Sequence, residues 1–275
     1  DEVCAGLFGY NQGHIQNLGM VEGDVSATST SSYAHTYAHA YAGGIAGRNI
    51  GTISNCYNTG NVTASATSTS PSTSISSYAY VGGIAGGNDG TISNCYNTGS
   101  LSATATSSSS HACSYAGGIA GDCGSGTTIR NCYNTGSVSA TVTSSSAYTR
   151  AYAGGIAGRN GGTISNCYNT DSVASFDYAG GIAGGNYGGT ISNCYNTGNV
   201  TAAWWAVGIA GDNYDSTITN CYYLDTATVG MGSRGGTSTD TSIRCTVEQM
   251  KQEETFIGFD FETIWEIQTG EAYPF

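Results

Sequence analysis

The chain has 275 residues, of which only 9% are charged, with 42 Gly, 20 Tyr, 10 Cys, 2 Pro and a formal net charge of -12. Its seven Lys and Arg are scattered, which excludes a nucleic-acid surface, because phosphates are neutralised by clustered cations. No run of about 18 apolar residues could cross a membrane, and with two Pro the chain is neither collagen-like nor a proline-rich linker.

In chain order, the sequence opens inside a repeat, "DEVCAGLFGYNQG", with no charged-then-apolar leader, so a processed or trimmed start is expected. The "AGLFG" from Ala5 returns as "GGIAG" from Gly43, Gly82, Gly117, Gly154 and Gly180, then as "VGIAG" from Val207. A Cys-Tyr marker follows each later copy, at Cys56, Cys95, Cys132, Cys167, Cys194 and Cys221, with spacings of 39, 37, 35, 27 and 27. The two equal short spacings give a basic unit of 27 residues. The excess falls between "NTG" and the next glycine pair, in runs such as "TASATSTSPSTSISS", "SATATSSSSHAC" and "SATVTSSSAYTR".

Units of this length, with Gly/Asn corners and short β-rich runs, read as coils of a parallel β-solenoid whose insertions share one side. No 3.6-residue apolar period supports a helical solenoid. The expected fold is therefore all-β, a parallel β-solenoid (β-helix) of about seven coils over residues 1–230. Residues 231–275 should form a small α/β cap. There Thr246 and Gln249 have capping-box spacing, predicting a short helix through about Lys251. Phe256, Phe259, Phe261, Ile264, Trp265 and Ile267 would cover the last rung.

Stacked coils turn each recurrent position into a column about 4.8 Å in period. Leu7, Ile45, Ile84, Ile119, Ile156, Ile182 and Ile209 make one core column. Ile15, Ile53, Ile92, Ile129, Ile164, Ile191 and Ile218 make the other. Asn11, Asn49, Asn88, Asn160, Asn186 and Asn213 lie near glycines and read as left-handed corners, with a second Asn column from Asn17 to Asn220 before the Cys position. The first coil has Leu18 in place of Cys and Gly19 in place of Tyr, so Cys should point inward and Tyr outward, with Asn at the bend. The inward Cys are either a column of free thiols acting as small hydrophobes or rung-to-rung disulfides. Cys113 and Cys123 are expected to bond and clamp an insertion, while Cys4 and Cys245 belong to opposite ends of the stack.

Two outward aromatic stripes are the candidate ligand or assembly surface. One comprises Tyr57, Tyr96, Tyr133, Tyr168, Tyr195 and Tyr222; the other comprises Tyr41, Tyr80, Tyr115, Tyr152, Tyr178 and Trp205. They could stiffen the coil, bind sugars on flat rings, or pack against a partner chain. The sequons at Asn61 and Asn199 are candidate glycosylation sites. His35 and His39 are too far apart on a strand to share a metal ion. Asp122 and Arg159 read as a surface ion pair, and Asp212–Asp215 as a solvated corner rather than a calcium site. No grouped carboxylates or nucleophile–base set marks a catalyst, and neither cofactor nor metal is expected. Thr recurs without forming a clean flat two-column array, leaving an ice-binding surface a remote option.

The cores "GLFG" and "GIAG", followed by "TISNCYNTG", resemble the GLUG-motif repeat family, and the match runs through nearly the whole chain. The resemblance implies a secreted or cell-surface bacterial β-solenoid, of the kind found in adhesins and certain immunoglobulin A metalloproteases. It implies no catalytic residues. The sequence therefore points to a non-enzymatic extracellular structural or adhesive protein, glycosylated on its Ser/Thr-rich insertions and assembling end to end into a homopolymer. The alternative is a carbohydrate-binding module that uses its Tyr columns on surface glycans.

Overall fold

Backbone amides of the repeat find their carbonyl partners one coil away. The Ile45 amide donates to the Ile84 carbonyl at 3.1 Å and the Ile84 amide to the Ile119 carbonyl at 3.0 Å. The computed structural model describes residues 2–32, 37–69, 76–108, 111–144, 149–225 and 236–275.

The second coil shows the plan: strands Ala38–Gly43, Ala46–Asn49, Thr52–Ser54, Tyr57–Asn58 and Asn61–Ser68, in order. Each joins its equivalents above and below. Among the described residues this gives five parallel sheets of seven, seven, eight, eight and six strands. Gly43 pairs with Gly82, Gly82 with Gly117, Gly117 with Gly154, and Gly154 with Gly180. The motif thus stays in register although the spacing along the chain varies. The chain is an all-β parallel β-solenoid.

Two cores run side by side along the axis. The first holds both Ile columns and the inward Cys column; Ile45, Ile84, Ile53 and Ile92 are fully buried and Cys95 is 1% exposed. The corner between Ile and Cys is made by the Asn before Cys: Asn55, Asn94, Asn131, Asn166 and Asn193 have φ of 51–53°. Asn enters this left-handed region more readily than other residues with a Cβ. The turn lets Ile and Cys face the same interior across a three-residue step. The other Asn column behaves differently from expectation. Asn49 and Asn88 end extended strands rather than taking left-handed φ, and they act through their side chains.

The second core lies inside the insertions. These are not loops over most of their length. Asp24–Ser31, Asn61–Ser68, Leu101–Ser107 and Val138–Ser144 are strands of the fifth sheet, packed on lengthened strands of the first sheet such as Ser77–Gly82. Together they form a fin four coils deep, filled by columns such as Ala27, Ala64, Ala103 and Ala140, at most 2% exposed. Alternation fixes the other side. The outward positions are Ser26, Thr28 and Thr30 in coil one; Thr63, Ser65 and Thr67 in coil two; Ser102, Thr104 and Thr106 in coil three; and Ser139, Thr141 and Thr143 in coil four. All are exposed or half-exposed. In the next two coils the fifth-sheet strands shrink to Val173–Ser175 and Val200–Ala202, and the fin ends.

The tail also departs from the expected boundary. Thr239–Asp240 and Ile243–Cys245 extend the third and fourth sheets by another rung. The expected capping box is present: the Thr246 amide donates to Gln249 Oε1 at 2.8 Å, and the Gln249 amide to Thr246 Oγ1 at 3.3 Å. It opens a 3-10 turn, Gln249–Lys251, and a second follows at Glu253–Thr255, so no α-helix occurs among the described residues of the cap. The apolar residues do not simply cover the last rung. Phe256 and Trp265 fold back along the side of the fourth sheet, against Tyr195 and Tyr222.

Candidate interaction surface

Both predicted aromatic columns exist, but their rings face each other rather than solvent. In the fourth sheet, Tyr57–Tyr96, Tyr96–Tyr133, Tyr133–Tyr168 and Tyr168–Tyr195 stack with centroids 4.9–5.1 Å apart and planes within 5°. In the first sheet, Tyr41, Tyr80, Tyr115, Tyr152 and Tyr178 stack at 4.4–5.4 Å. Strand pairing sets this spacing, and each such contact is worth about 0.5–1.5 kcal/mol beyond area burial. A ring stacked on both sides, as Tyr96 is between Tyr57 and Tyr133, presents only its edge and hydroxyl, so its flat faces are not open to a sugar.

Burial corrects the expectation further. Tyr80, Tyr115, Tyr152 and Tyr178 are 2–9% exposed, hence core-like. Arg48 lies 5.2 Å over Tyr41 and Arg159 lies 5.9 Å from the Tyr115 ring. His39 stacks on Tyr78 at 4.9 Å, and burial lowers its pKa; His35 lies outside the described residues. Burial raises Tyr41 and Tyr152 to about 12. In the other column, Tyr195 and Tyr222 are 1% exposed beneath the tail, with Tyr195 Oη donating to the Pro274 carbonyl at 2.5 Å. Tyr57, Tyr96, Tyr133 and Tyr168 remain half-exposed. A groove of about 280 Å³ is lined by Tyr133, Tyr168, Trp265 and Phe275, with the Tyr168 and Trp265 rings 6.0 Å apart. Where the fin stops, Phe176, Trp204 and Trp205 are 52%, 65% and 37% exposed.

Polar columns brace the stack. The Asn11 amide donates to Asn49 Oδ1 at 2.7 Å, Asn49 to Asn88 at 2.8 Å, Asn160 to Asn186 at 2.8 Å and Asn186 to Asn213 at 2.9 Å. Cys123 interrupts this column. A third Asn column follows the Tyr position: Asn58 donates to Asn97, Asn97 to Asn134, Asn134 to Asn169 and Asn169 to Asn196, all at 2.7–2.8 Å. Its members are 0% exposed. Its signal was the "CYN" repeated in coils two to six. It also explains the second Gly of the motif, since a Cβ on Gly83 would sit 2.4 Å from Asn97 Cγ.

All ten cysteines are free. The column thiols instead donate within their own turn, Cys95 Sγ to the Ser93 carbonyl at 3.1 Å, and burial holds Cys132, Cys167 and Cys194 well above the usual thiol range. The expected Cys113–Cys123 bond is not made. Cys113 sits on the outer face of the first sheet, opposite Tyr78 and Arg150, whereas Cys123 points into the Ile core. Cys4 and Cys245 lie in the first rung and the added last rung, as expected. Arg159 forks onto Asp122 at 2.7 and 3.2 Å. Asp212 accepts from Tyr187 and Asp215 from the Thr237 amide, so the two carboxylates serve separate partners. Among the described residues no group of three His, Cys, Asp or Glu could hold a metal. Asn61 and Asn199 are both exposed, and Asn61 Nδ2 donates to Asp24 at 3.0 Å.

Four segments, residues 38–63, 77–102, 149–174 and 178–201, match the family model described as the GLUG motif. No curated protein matches the chain in sequence. Among solved structures, the chain is similar to a Bacteroides ovatus protein described as a putative immunoglobulin A1 protease. That match has a TM-score of 0.53 and 18% identity, and covers 99% of this chain and 86% of the other. At that identity the likeness concerns the fold.

Proposed function

The chain carries GLUG-motif repeats, and on that premise we propose that it is a non-enzymatic extracellular β-solenoid with a structural or adhesive role at a cell surface. One observation carries this reading: the recurrent side chains interact with their own equivalents in the next coil, Asn with Asn and Tyr with Tyr. Such columns stiffen a rod along its axis and leave few groups converging on one point, as catalysis would need. The exposed Asn61 and Asn199 fit glycan attachment. End-to-end contact between copies is part of this reading, since parallel sheets offer unpaired strand edges at an uncovered rung. Sedimentation over a wide concentration range should show growing oligomers, and persistent monomers would remove the assembly. Cleavage of immunoglobulin A1 or of polysaccharides by the purified chain would overturn the non-enzymatic reading.

A carbohydrate-binding role is the second reading, favoured by the exposed Trp204 and Trp205 rather than by the Tyr columns. Glycan-array binding that disappears in Trp204→Ala and Trp205→Ala would establish it.

A further inference from the structure

The fin is not needed to close the solenoid. Coils five and six complete their turns in 27 residues, with fifth-sheet strands of three residues. The longer strands of the first four coils add an interior of mostly Ala and Ser and, on the outer side, one product: three columns of hydroxyls on four rungs. Eight of these twelve residues are Thr, four are Ser, and none is charged. Thr104 Oγ1 and Thr141 Oγ1 are hydrogen-bonded to each other at 3.1 Å, so this pair is drawn closer than the ~4.8 Å spacing of its rungs, while the register of the strands keeps the columns aligned. The column Thr30, Thr67, Thr106 and Thr143 is all Thr, whereas Ser26, Thr63, Ser102 and Ser139 are mostly Ser, so the array is one of hydroxyls rather than the clean two-column Thr array that the sequence did not show.

From this array we infer an ice-binding face, with the hydrogen-bonded water lattice as its ligand. Parallel strands repeat every ~4.8 Å across the sheet, and alternate residues every ~6.7 Å along it. In tetrahedral water, an O–H···O distance of ~2.75 Å puts second-neighbour oxygens ~4.5 Å apart and repeats the layers every ~7.3 Å. Across four rungs and three columns the accumulated misfit stays near 1 Å, under half an O···O distance. A Thr side chain sets a methyl beside its hydroxyl. The methyl orders nearby water without competing for it, while the hydroxyl enters the lattice. A charged side chain would instead hold its own hydration shell. The array is also held rigid, since the inward residues of the same strands, such as Val62, Ala64 and Ala66, are at most 2% exposed. β-branching stiffens the outward Thr rotamers as well.

The test uses the full chain, produced without glycosylation because Asn61 adjoins Thr63 on this face. Ice-crystal shaping and the thermal-hysteresis gap are measured for the wild type, for Thr104→Lys with Thr106→Lys, and for Arg150→Lys on the opposite side of the fin. Circular dichroism and melting temperature establish that each variant is folded. A Thr104→Ser, Thr106→Ser variant, which keeps hydroxyls and removes methyls, provides a second reading should the lysines unfold the chain. The wild type and Arg150→Lys should shape ice and open a gap; the lysine variant should lose both, and the serine variant should lose part of the gap. Wild-type ice growth like that with a non-binding protein would overturn the inference. So would full activity in the lysine variant, or retention on an insoluble polysaccharide, without ice shaping, that the lysines abolish. The ice measurements leave the structural or adhesive reading untouched, whereas polysaccharide retention would favour an adhesive role for this face.

Discussion

The backbone amide of Ile45 donates to the carbonyl of Ile84 across 3.1 Å, and both side chains are fully buried. These residues lie 39 positions apart in the chain and directly above one another in the stack. The column they belong to should dominate stability. Ile84→Ala, in a rung covered on both sides, is expected to cost about 2–5 kcal/mol. Leu7→Ala, in a first rung where the side chain is 48% exposed, should cost well under that. Urea unfolding of the two variants measures the difference.

Neighbouring asparagines in one coil should respond unequally to glycine. Asn94 turns the corner with φ 53°, a conformation glycine takes freely, so Asn94→Gly should change stability by no more than about 1 kcal/mol. Asn97 accepts from Asn58 and donates to Gly99 and Asn134 while fully buried. Asn97→Gly strands these partners, at about 1–3 kcal/mol for each group left unsatisfied. Thermal melts of the pair should separate clearly.

Inside the fin, the buried Ser77 hydroxyl has no hydrogen-bond partner, and its register neighbours are Ala38 and Ala112. Ser77→Ala continues an alanine column and removes the desolvation cost. We expect a gain of about 1 kcal/mol in urea unfolding.

Alkali should unfold the rod through its tyrosines. Burial raises Tyr41, Tyr152 and Tyr168 from 10 to about 12 in the folded chain. The unfolded chain therefore loses these protons first, and stability falls as pH rises. Their contribution is intact below pH 10 and lost between about 10 and 12. The buried thiols act in the same direction from near pH 9, their ordinary value. Tyrosinate absorbance followed together with circular dichroism should show ionisation and unfolding coinciding for these residues.

The stack was legible because Ile, Asn and Cys recur at fixed offsets from each glycine pair, and a column needs only that recurrence. The fin was harder to see, since Ser/Thr-rich runs resemble loops in composition. The signal lay in the alternation of "SATATS", which puts Ala on one face and hydroxyls on the other. Cys113 and Cys123 looked close in sequence, but ten residues carry the chain round to a different sheet and reverse the side-chain direction. The burial of Tyr195 and Tyr222 depends on a tail folding back from residues 256–275, a contact that no local pattern encodes.

Register between coils is tested most directly by cross-linking outward residues of the fin. Thr67 pairs with Thr106, and Thr106 with Thr143. Neighbouring rungs, ~4.8 Å apart, lie within the Cα range of a disulfide, whereas rungs two apart do not. Thr67→Cys with Thr106→Cys, and Thr106→Cys with Thr143→Cys, should each close an intramolecular bond under mild oxidation, while Thr67→Cys with Thr143→Cys should stay open. Closure of the last pair in preference to the first two would contradict the stacking of these coils.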